Sequence, residues 1–172
     1  IRGFTSFSEA HEPEVVVDEL NAYLSTMTGL IVRHGGKVNK FIGDGILAVF
    51  GDDANGAGPH AARAVRCAME MVETSSKFET RIGIHSGYVV VGNIGSTEKL
   101  ENTVLGDTVN LASRLEGMNK QLSTHVLFSD ATRDRLDGSV AVRQLGEVAV
   151  KGKSAAVAVY TVAGGDGSCG AG

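Results

Sequence analysis

The feature that most constrains the fold of this 172-residue chain is the way glycine interrupts its short apolar runs. Glycine supplies 23 residues, many of them between or inside strand-like segments, where glycine weakens strand pairing unless a turn requires it. In the clearest case, the apolar runs 38–42 and 46–50 flank Gly43, Asp44 and Gly45. Two short runs around a turn of this composition predict a β-hairpin with an aspartate at its tip.

Helical periodicity alternates with these runs. Apolar residues recur at three- and four-residue steps over 13–31 and over 61–72, the spacing of one helical face. A third helix is expected from position 107 to about 118, with Asp107 or Thr108 as its N-cap. These segments predict three helices separated by glycine-rich turns.

The remaining apolar runs predict further strands. Ser86 and Gly87 suggest a second tight hairpin between two of them, and the segment rich in Glu, Asn and Thr between Ile94 and Gly106 is expected to form a loop. The predicted strands are 81–85, 88–94, 126–128, 140–145 and 157–162. This order of elements predicts an α+β (α/β) domain over 1–163, with a sheet covered by helices on one face. Residues 164–172 are expected to be a flexible tail, and a further strand is expected upstream of Ile1.

Composition excludes several classes of function. The net charge of −4 gives no general field for nucleic acid or anionic lipid, so any bound phosphate must be held by local groups. The chain has no unbroken run of 18 apolar residues and no leader-like start, which predicts a cytoplasmic domain without membrane contact. Cys67 and Cys169 are expected to be free thiols. The five histidines lack zinc-site spacing, so carboxylates are the expected metal ligands.

Individual residues suggest phosphate chemistry, each with a structural alternative. The turn and helix start at 1–8 suit a phosphate, but a capped helix has the same pattern. Asp44 could bind Mg²⁺, although most Gly-Asp-Gly turns bind nothing. Asn110 and Arg114 share a helical face and could meet a ribose or phosphate, or form a solvated stripe. His85 is expected to be structural.

Five segments, taken together in this order and spacing, resemble the catalytic domain of class III nucleotidyl cyclases, the adenylyl and guanylyl cyclase family. They are IRGFTSFSE at 1–9, KFIGDGILAVFG at 40–51, RIGIHSGYVVVGNIG at 81–95, TVLGDTVNLASRLE at 103–116 and VKGK at 150–153. The resemblance covers residues 1–162. It implies a ferredoxin-like βαββαβ core, a homodimer formed through the catalytic domain, and regulatory domains upstream in the full-length chain.

The resemblance also implies a metal and phosphate site. Two Mg²⁺ or Mn²⁺ ions would be held at Asp44 and at Ile1, since the family places its first metal-binding aspartate directly before the position of Ile1. The backbone around Phe4 and Thr5 would cradle the phosphates. Arg81 and Lys151 would neutralise the β- and γ-phosphates. Without the resemblance, both would be interpreted as ordinary surface cations.

The same resemblance assigns the nucleoside end. Asn110 would orient the ribose, and Arg114 would stabilise charge developing at the α-phosphate. Lys40 and Thr103 match the two positions that read the purine. Lys40 can only donate a hydrogen bond and Thr103 can accept one, which fits the acceptor N1 and the amino group of adenine.

The expected function is therefore an adenylate cyclase, which converts ATP to cyclic AMP and pyrophosphate at sites shared across a homodimer. Two alternatives remain open: an inactive cyclase-like module for dimerisation or regulation, and a guanylate cyclase. The related diguanylate cyclases would carry a GG(D/E)EF turn where this chain has FIGDG, which makes them a poor match.

Overall fold

The computed structural model describes residues 1–51, 59–75, 77–96, 100–149 and 156–164. Within these ranges, the helices are α1 (Phe4–Ala10), α2 (Pro13–Arg33), α3 (His60–Thr74), α4 (Asp107–Leu122) and α5 (Asp130–Arg133). The strands are β1 (Lys37–Ile42), β2 (Gly45–Val49), β3 (Ile82–Ile84), β4 (Val90–Gly95), β5 (Leu100–Leu105), β6 (Val126–Ser129), β7 (Val142–Val148) and β8 (Val157–Val162).

The strands form one larger sheet and two hairpins. The four-stranded sheet has the order β3-β6-β8-β7, with β3 and β6 parallel and the other pairs antiparallel. The antiparallel hairpins are β1–β2 and β4–β5. This arrangement confirms the predicted mixed α+β class.

Helices pack on both faces of the four-stranded sheet, whereas the sequence led us to expect them on one. Phe128 of β6 belongs to a cluster with Val65 and Ala68 of α3. The neighbouring Leu127 packs with Leu115 of α4 in a separate cluster. Because successive strand residues point to opposite faces, α3 and α4 lie on opposite sides of β6.

Helix α2 packs on α3 through the buried side chains predicted from its periodicity. Met27 and Ile31 contact Cys67 and Met71, and Cys67 is a free, buried cysteine. An 18-residue window of α2 has a mean hydropathy of 1.2, so its length and composition also meet a criterion for crossing a membrane. Core helices of globular proteins and N-terminal signal sequences meet the same criterion, so this match alone does not identify a membrane span.

Three local predictions are wrong. Ser86 and Gly87 do not close a hairpin, because β3 pairs with β6 and β4 pairs with β5. The expected loop between Ile94 and Gly106 contains β5, whose pairing with β4 overrides its polar composition. Helix α4 is preceded by Gly106 at the N-cap without a side-chain bond, and Thr108 Oγ1 instead donates to Tyr88 O at 2.8 Å.

Candidate active site

The predicted aspartate turn is present. Gly43 adopts a φ of 59°, which favours glycine, and the turn joins β1 to β2 with Asp44 at its tip. Asp44 Oδ2 lies 2.9 Å from the backbone nitrogen of Ile1. The structure therefore brings together the two residues assigned to the metal site.

The start of the chain lies between the β1–β2 turn and the segment that leads into β3. While Ile1 contacts Asp44, the backbone nitrogen of Arg2 donates to Glu79 O at 2.8 Å. The side chain of Arg2 also forms an ion pair with the Glu79 carboxylate at 2.6 Å. These contacts hold the backbone of Ile1 beside the Asp44 carboxylate.

Helix α1 begins where the phosphate cradle is expected. Gly3 is left-handed with a φ of 72°, and the helix starts at Phe4 and continues through Thr5. Phe4 contacts the buried ring of Phe78 edge-on, with ring centroids 6.1 Å apart. This contact fixes the start of α1 against the segment before β3.

Tyr23 of α2 lies near both the Phe4–Phe78 contact and the β1–β2 turn that carries Asp44. Its ring packs edge-on against Phe78, and its hydroxyl lies 3.0 Å from Thr80 Oγ1. Burial raises the pKa of Tyr23, and the negative charge of Asp44 adds to this rise. Burial in this position therefore favours the neutral phenol over the phenolate.

The two residues assigned to the purine lie on neighbouring elements. Lys40 is in β1 and Thr103 is in β5, where it pairs with Gly92, and these two strands contact each other. Thr103 is buried, and Lys40 is half-buried. Thr103 therefore offers a buried hydroxyl as an acceptor on β5, and Lys40 offers a donor on the contacting strand β1.

Asn110 and Arg114 share the exposed face of α4, as their spacing predicts, while Leu111 and Leu115 form the buried face. The approach of α4 to β3 depends on Gly83. A Cβ at this position would lie 2.2 Å from Ala112 O, so a side chain there would push α4 away. Gly83 therefore sets the position of the helix that carries Asn110 and Arg114.

The remaining predicted residues have different outcomes. Arg81 is half-buried just before β3, and its Nε atom has no hydrogen-bond partner in the described part of the chain. Lys151 lies outside the described residues. His85 is structural as predicted, because its Nδ1 lies 2.6 Å from Ser129 Oγ. Across the described ranges, no cluster of three or more His, Cys, Asp or Glu side chains could hold a metal.

Arg63 is a residue that sequence reasoning missed. It is only 4% exposed and donates to Gly35 O at 2.9 Å and to Gly51 O at 2.5 Å. These carbonyls flank the β1–β2 hairpin, so Arg63 ties together both ends of the element that carries Lys40 and Asp44. The signal in the sequence was an arginine among the apolar residues of α3. Its hydrogen-bond partners could not be predicted, because they are distant in sequence.

Comparison with known proteins identifies the family. Residues 1–164 match the model for the adenylate and guanylate cyclase catalytic domain. The chain is 39% identical to adenylate cyclase 1 of Rhizobium meliloti (strain 1021), covering 95% of this chain and 26% of that protein. It is 38% identical to an adenylate cyclase of Anabaena cylindrica, covering 94% of this chain and 35% of that protein. The chain therefore spans about a quarter to a third of these relatives.

Solved structures agree with this fold. The adenylyl cyclase CyaB from P. aeruginosa superposes with a TM-score of 0.80 at 34% identity, covering 94% of this chain and 88% of that one. A guanylyl cyclase superposes with a TM-score of 0.78 at 35% identity, covering 98% and 90%. The chain belongs to the adenylate and guanylate cyclase catalytic domain family, and its fold is that of a class III cyclase.

Proposed function

We propose that this domain is an adenylate cyclase that converts ATP to 3′,5′-cyclic AMP and pyrophosphate. In this reaction the ribose 3′-oxygen forms a bond to the α-phosphorus, and the bond from that phosphorus to the β-bridging oxygen breaks. The hydroxyl proton leaves to solvent, and no side chain is assigned as a dedicated base. The observation that carries the proposal is the Lys40 and Thr103 pair on contacting strands, supported by relatives named adenylate cyclase.

Base selection follows from hydrogen-bond chemistry. The Lys40 ammonium donates to N1 of adenine, and the Thr103 hydroxyl accepts from its amino group. Guanine presents a donor N1–H and an acceptor O6, so the same pair would leave polar groups mismatched beside the buried Thr103. GTP is the second candidate substrate, since a guanylyl cyclase structure is as similar to this chain as the adenylyl ones.

The donor set suits a divalent cation that binds with its substrate. Mg²⁺ is commonly held by one or two carboxylates together with substrate phosphates, and Asp44 offers one carboxylate on an uncrowded turn next to Ile1. Asp44 and the Ile1 carbonyl would hold Mg²⁺ or Mn²⁺, two ions per site, with an aspartate before Ile1. When bound, the ions would supply Lewis-acid stabilisation of phosphate charge.

The other residues bind and orient the nucleotide. The backbone at Phe4 and Thr5 binds phosphate oxygens at the start of α1, and Arg81 with Lys151 neutralises the β- and γ-phosphates. Asn110 holds the ribose so that its 3′-oxygen faces the α-phosphorus. Arg114 stabilises the charge that develops on that phosphate, a task for which a pre-positioned guanidinium is well suited.

The proposed site is shared across a homodimer. Asn110 and Arg114 point to solvent within this chain, and large apolar side chains on the hairpins are also exposed. These exposed apolar residues are Phe41, Ile42, Val90, Val91, Ile94 and Leu105, and Tyr88 just before β4 is exposed as well. Val90 and Val91 face opposite sides of β4, so neither side of that hairpin is fully covered. A second copy of the chain would cover them and complete each site.

In the cell, we expect this domain to work in the cytoplasm, within a longer chain whose upstream domains regulate it. The relatives' greater length supports this expectation. The domain requires neither nucleic acid nor a membrane for the proposed reaction.

The proposal is tested by identifying the product. The protein, with its natural residues before Ile1, is incubated with ATP or GTP and Mg²⁺ or Mn²⁺, and products are resolved by liquid chromatography and mass spectrometry. We expect cyclic AMP and pyrophosphate in equal amounts, with a higher kcat/KM for ATP. A higher kcat/KM for GTP would make the domain a guanylate cyclase, and the absence of both products would support the inactive-module alternative.

A further inference from the structure

Gly92 interrupts a row of β-branched side chains on one face of β4. Because strand residues alternate between the two faces, Val90, Gly92 and Ile94 lie on the same side of this strand. A glycine inside a strand has no side chain to pack and weakens the strand, so its presence needs a reason. The usual reasons within a chain are a backbone conformation that favours glycine and a neighbouring atom that leaves no room for a side chain.

Neither reason applies to Gly92 in the described part of the chain. Its φ is negative, unlike that of Gly95 at the end of the same strand, so its backbone suits any residue. A Cβ at Gly92 would have no described atom within 4 Å, whereas a Cβ at Gly83 would lie 2.2 Å from a backbone oxygen. The space beside Gly92 is therefore open in the single chain, and a group from outside the chain can occupy it.

The residue directly across from Gly92 is Thr103 of β5. Directly paired residues of antiparallel strands face the same side, with Cβ positions about 4.5–5.5 Å apart. Thr103 is only 9% exposed, and its hydroxyl forms no hydrogen bond with another described residue. Buried hydroxyl groups are nearly always hydrogen-bonded, so this one needs a partner that the described residues do not supply. The open space at Gly92 lies beside that hydroxyl.

This open space, bounded along β4 by Val90 and Ile94 and opposed by Thr103, forms a slot. Val90 and Ile94 are four residues apart, about 13 Å along a strand, and both are exposed. Ligand sites of this kind combine apolar side chains, which pack against a ring, with a few polar groups that fix its edge. Lys40 adds a hydrogen-bond donor on the contacting strand β1. A flat heteroaromatic base has the apolar faces and the polar edge that this slot requires.

We propose that Gly92 is a specificity-determining residue, which admits a purine base to the slot because it has no side chain. The inference rests on the proposed function, which places the purine at Lys40 and Thr103. Those two residues distinguish adenine from guanine by hydrogen bonding, whereas Gly92 selects for the size of the base. A side chain at position 92 would fill the space beside Thr103, exclude both purines, and affect a smaller pyrimidine less.

Calorimetric titration of the purified full-length chain, with Mg²⁺ present, tests this proposal. The probes are 3′-deoxy-ATP and 3′-deoxy-CTP, which lack the reacting oxygen, and inorganic tripolyphosphate, which lacks the base. Gly92→Val fills the slot, and Gly92→Ala places only a Cβ there; both new residues form strands better than glycine does. Gly29→Val is the matched control, because it makes the same change at an exposed position of α2 where a Cβ also has no described atom within 4 Å.

We expect Gly92→Val to weaken the Kd for 3′-deoxy-ATP by about tenfold or more, the usual effect of a misplaced carbon group in a pocket. Gly92→Ala should weaken the same Kd by a smaller factor. The Kd for 3′-deoxy-CTP should change less than that for 3′-deoxy-ATP, so the preference for the purine should shrink. The Kd for tripolyphosphate should stay unchanged in both variants, and Gly29→Val should bind all three probes as wild type does.

The proposal is overturned if wild-type protein does not bind 3′-deoxy-ATP, or if Gly92→Val binds it as tightly as Gly29→Val does. Equal losses of 3′-deoxy-ATP and tripolyphosphate would also overturn it. Sedimentation of the same samples tests the other occupant: a lower dimer fraction in Gly92→Val would assign the slot to a second copy of the chain and reject the proposal. Product formation by wild type is measured separately. Selective loss of purine binding in Gly92→Val, with no cyclic nucleotide formed by wild type, would refute the proposed function and support this inference.

Discussion

The four-stranded sheet and the two hairpins contain the same kinds of apolar residue, but they differ in how far these residues are buried. In the sheet, Leu127 and Phe128 of β6 are 0% exposed, covered on one side by α4 and on the other by α3. On the hairpins, Ile42 is 62% exposed, and Tyr88, at the approach to β4, is fully exposed. The sheet completes its core within one chain, whereas the hairpins leave apolar surface uncovered.

This difference predicts that stability and activity depend on different regions of the molecule. Lys40, Asp44 and Thr103 lie on the hairpins, and Asn110 and Arg114 lie on the exposed face of α4. Changes in the sheet should therefore unfold the chain, while changes on the hairpins should leave the fold intact and remove a chemical step or weaken association. The following predictions test this separation in order of decreasing effect.

Replacing Asp44 with alanine should have the largest effect on activity and little effect on folding. The change removes the carboxylate assigned to the metal ions, so kcat/KM for cyclic AMP formation should fall by about a thousandfold or more. Asp18→Ala removes an exposed carboxylate from α2 and should leave turnover unchanged. Normal turnover in Asp44→Ala, with an unchanged melting temperature, would reject the metal assignment.

Replacing Gly83 with alanine should destabilise the sheet region. The new Cβ would lie 2.2 Å from Ala112 O and 2.3 Å from Glu116 N, both backbone atoms that cannot rotate away. We expect the free energy of unfolding to fall by about 3 kcal/mol. Gly117 lies on α4, the helix that contains Ala112 and Glu116, and a Cβ added there would have no atom within 4 Å. Gly117→Ala should therefore stabilise the fold by about 0.5–1 kcal/mol. Urea unfolding measures both, and equal effects would contradict the packing described here.

Exchanging the purine readers should alter specificity more than stability. In the double variant Lys40→Glu with Thr103→Cys, the donor and acceptor properties change, which favours guanine. A mismatched polar pair costs about 1–3 kcal/mol, so the ATP/GTP ratio of kcat/KM should fall by roughly tenfold or more. Competition assays with both nucleotides measure this ratio. If it does not move, these two residues do not read the base.

The smallest effect concerns the buried thiol. Burial raises the pKa of Cys67 to about 12, with a further rise from Glu70 that Arg33 opposes. Between about pH 9 and 12 the unfolded chain therefore holds fewer protons than the folded one, so this group makes stability fall as pH rises through that range. In a Cys169→Ser background, a thiol reagent at pH 8 should label nothing in the folded protein and one thiol after unfolding. Rapid labelling of the folded protein would contradict the packing of α2 on α3.

Local patterns predicted much of the fold and of the site. The Gly-Asp-Gly turn, the apolar faces of α2 and α3, and the shared face of Asn110 and Arg114 each depend on residues near one another in sequence. The resemblance to cyclases supplied the roles of Lys40 and Thr103, which composition alone could not. None of these predictions required knowledge of contacts between residues far apart in the sequence.

The wrong predictions concern segments whose contacts are with residues far away in the sequence. Ser86 and Gly87 have the composition of a tight turn, but β3 pairs with β6, so the chain passes instead from the four-stranded sheet to the β4–β5 hairpin. A Cβ at Gly87 would lie 2.7 Å from Thr108 Oγ1, so a larger residue there would require the Thr108 side chain to shift. The carbonyls bound by Arg63 likewise belong to segments separated in sequence. Periodicity carries no information about such contacts.

The central claim is that each active site uses residues from two copies of this chain, and mixing two inactive variants tests it most directly. Asp44→Ala and Arg114→Ala each spoil both sites of their own homodimer. A heterodimer of the two has one site with both lesions and one intact site. After co-expression, with heterodimers verified by two affinity tags, activity should return to about a quarter of wild type if subunits pair at random and the sites act independently. Verified heterodimers without activity would contradict the shared site.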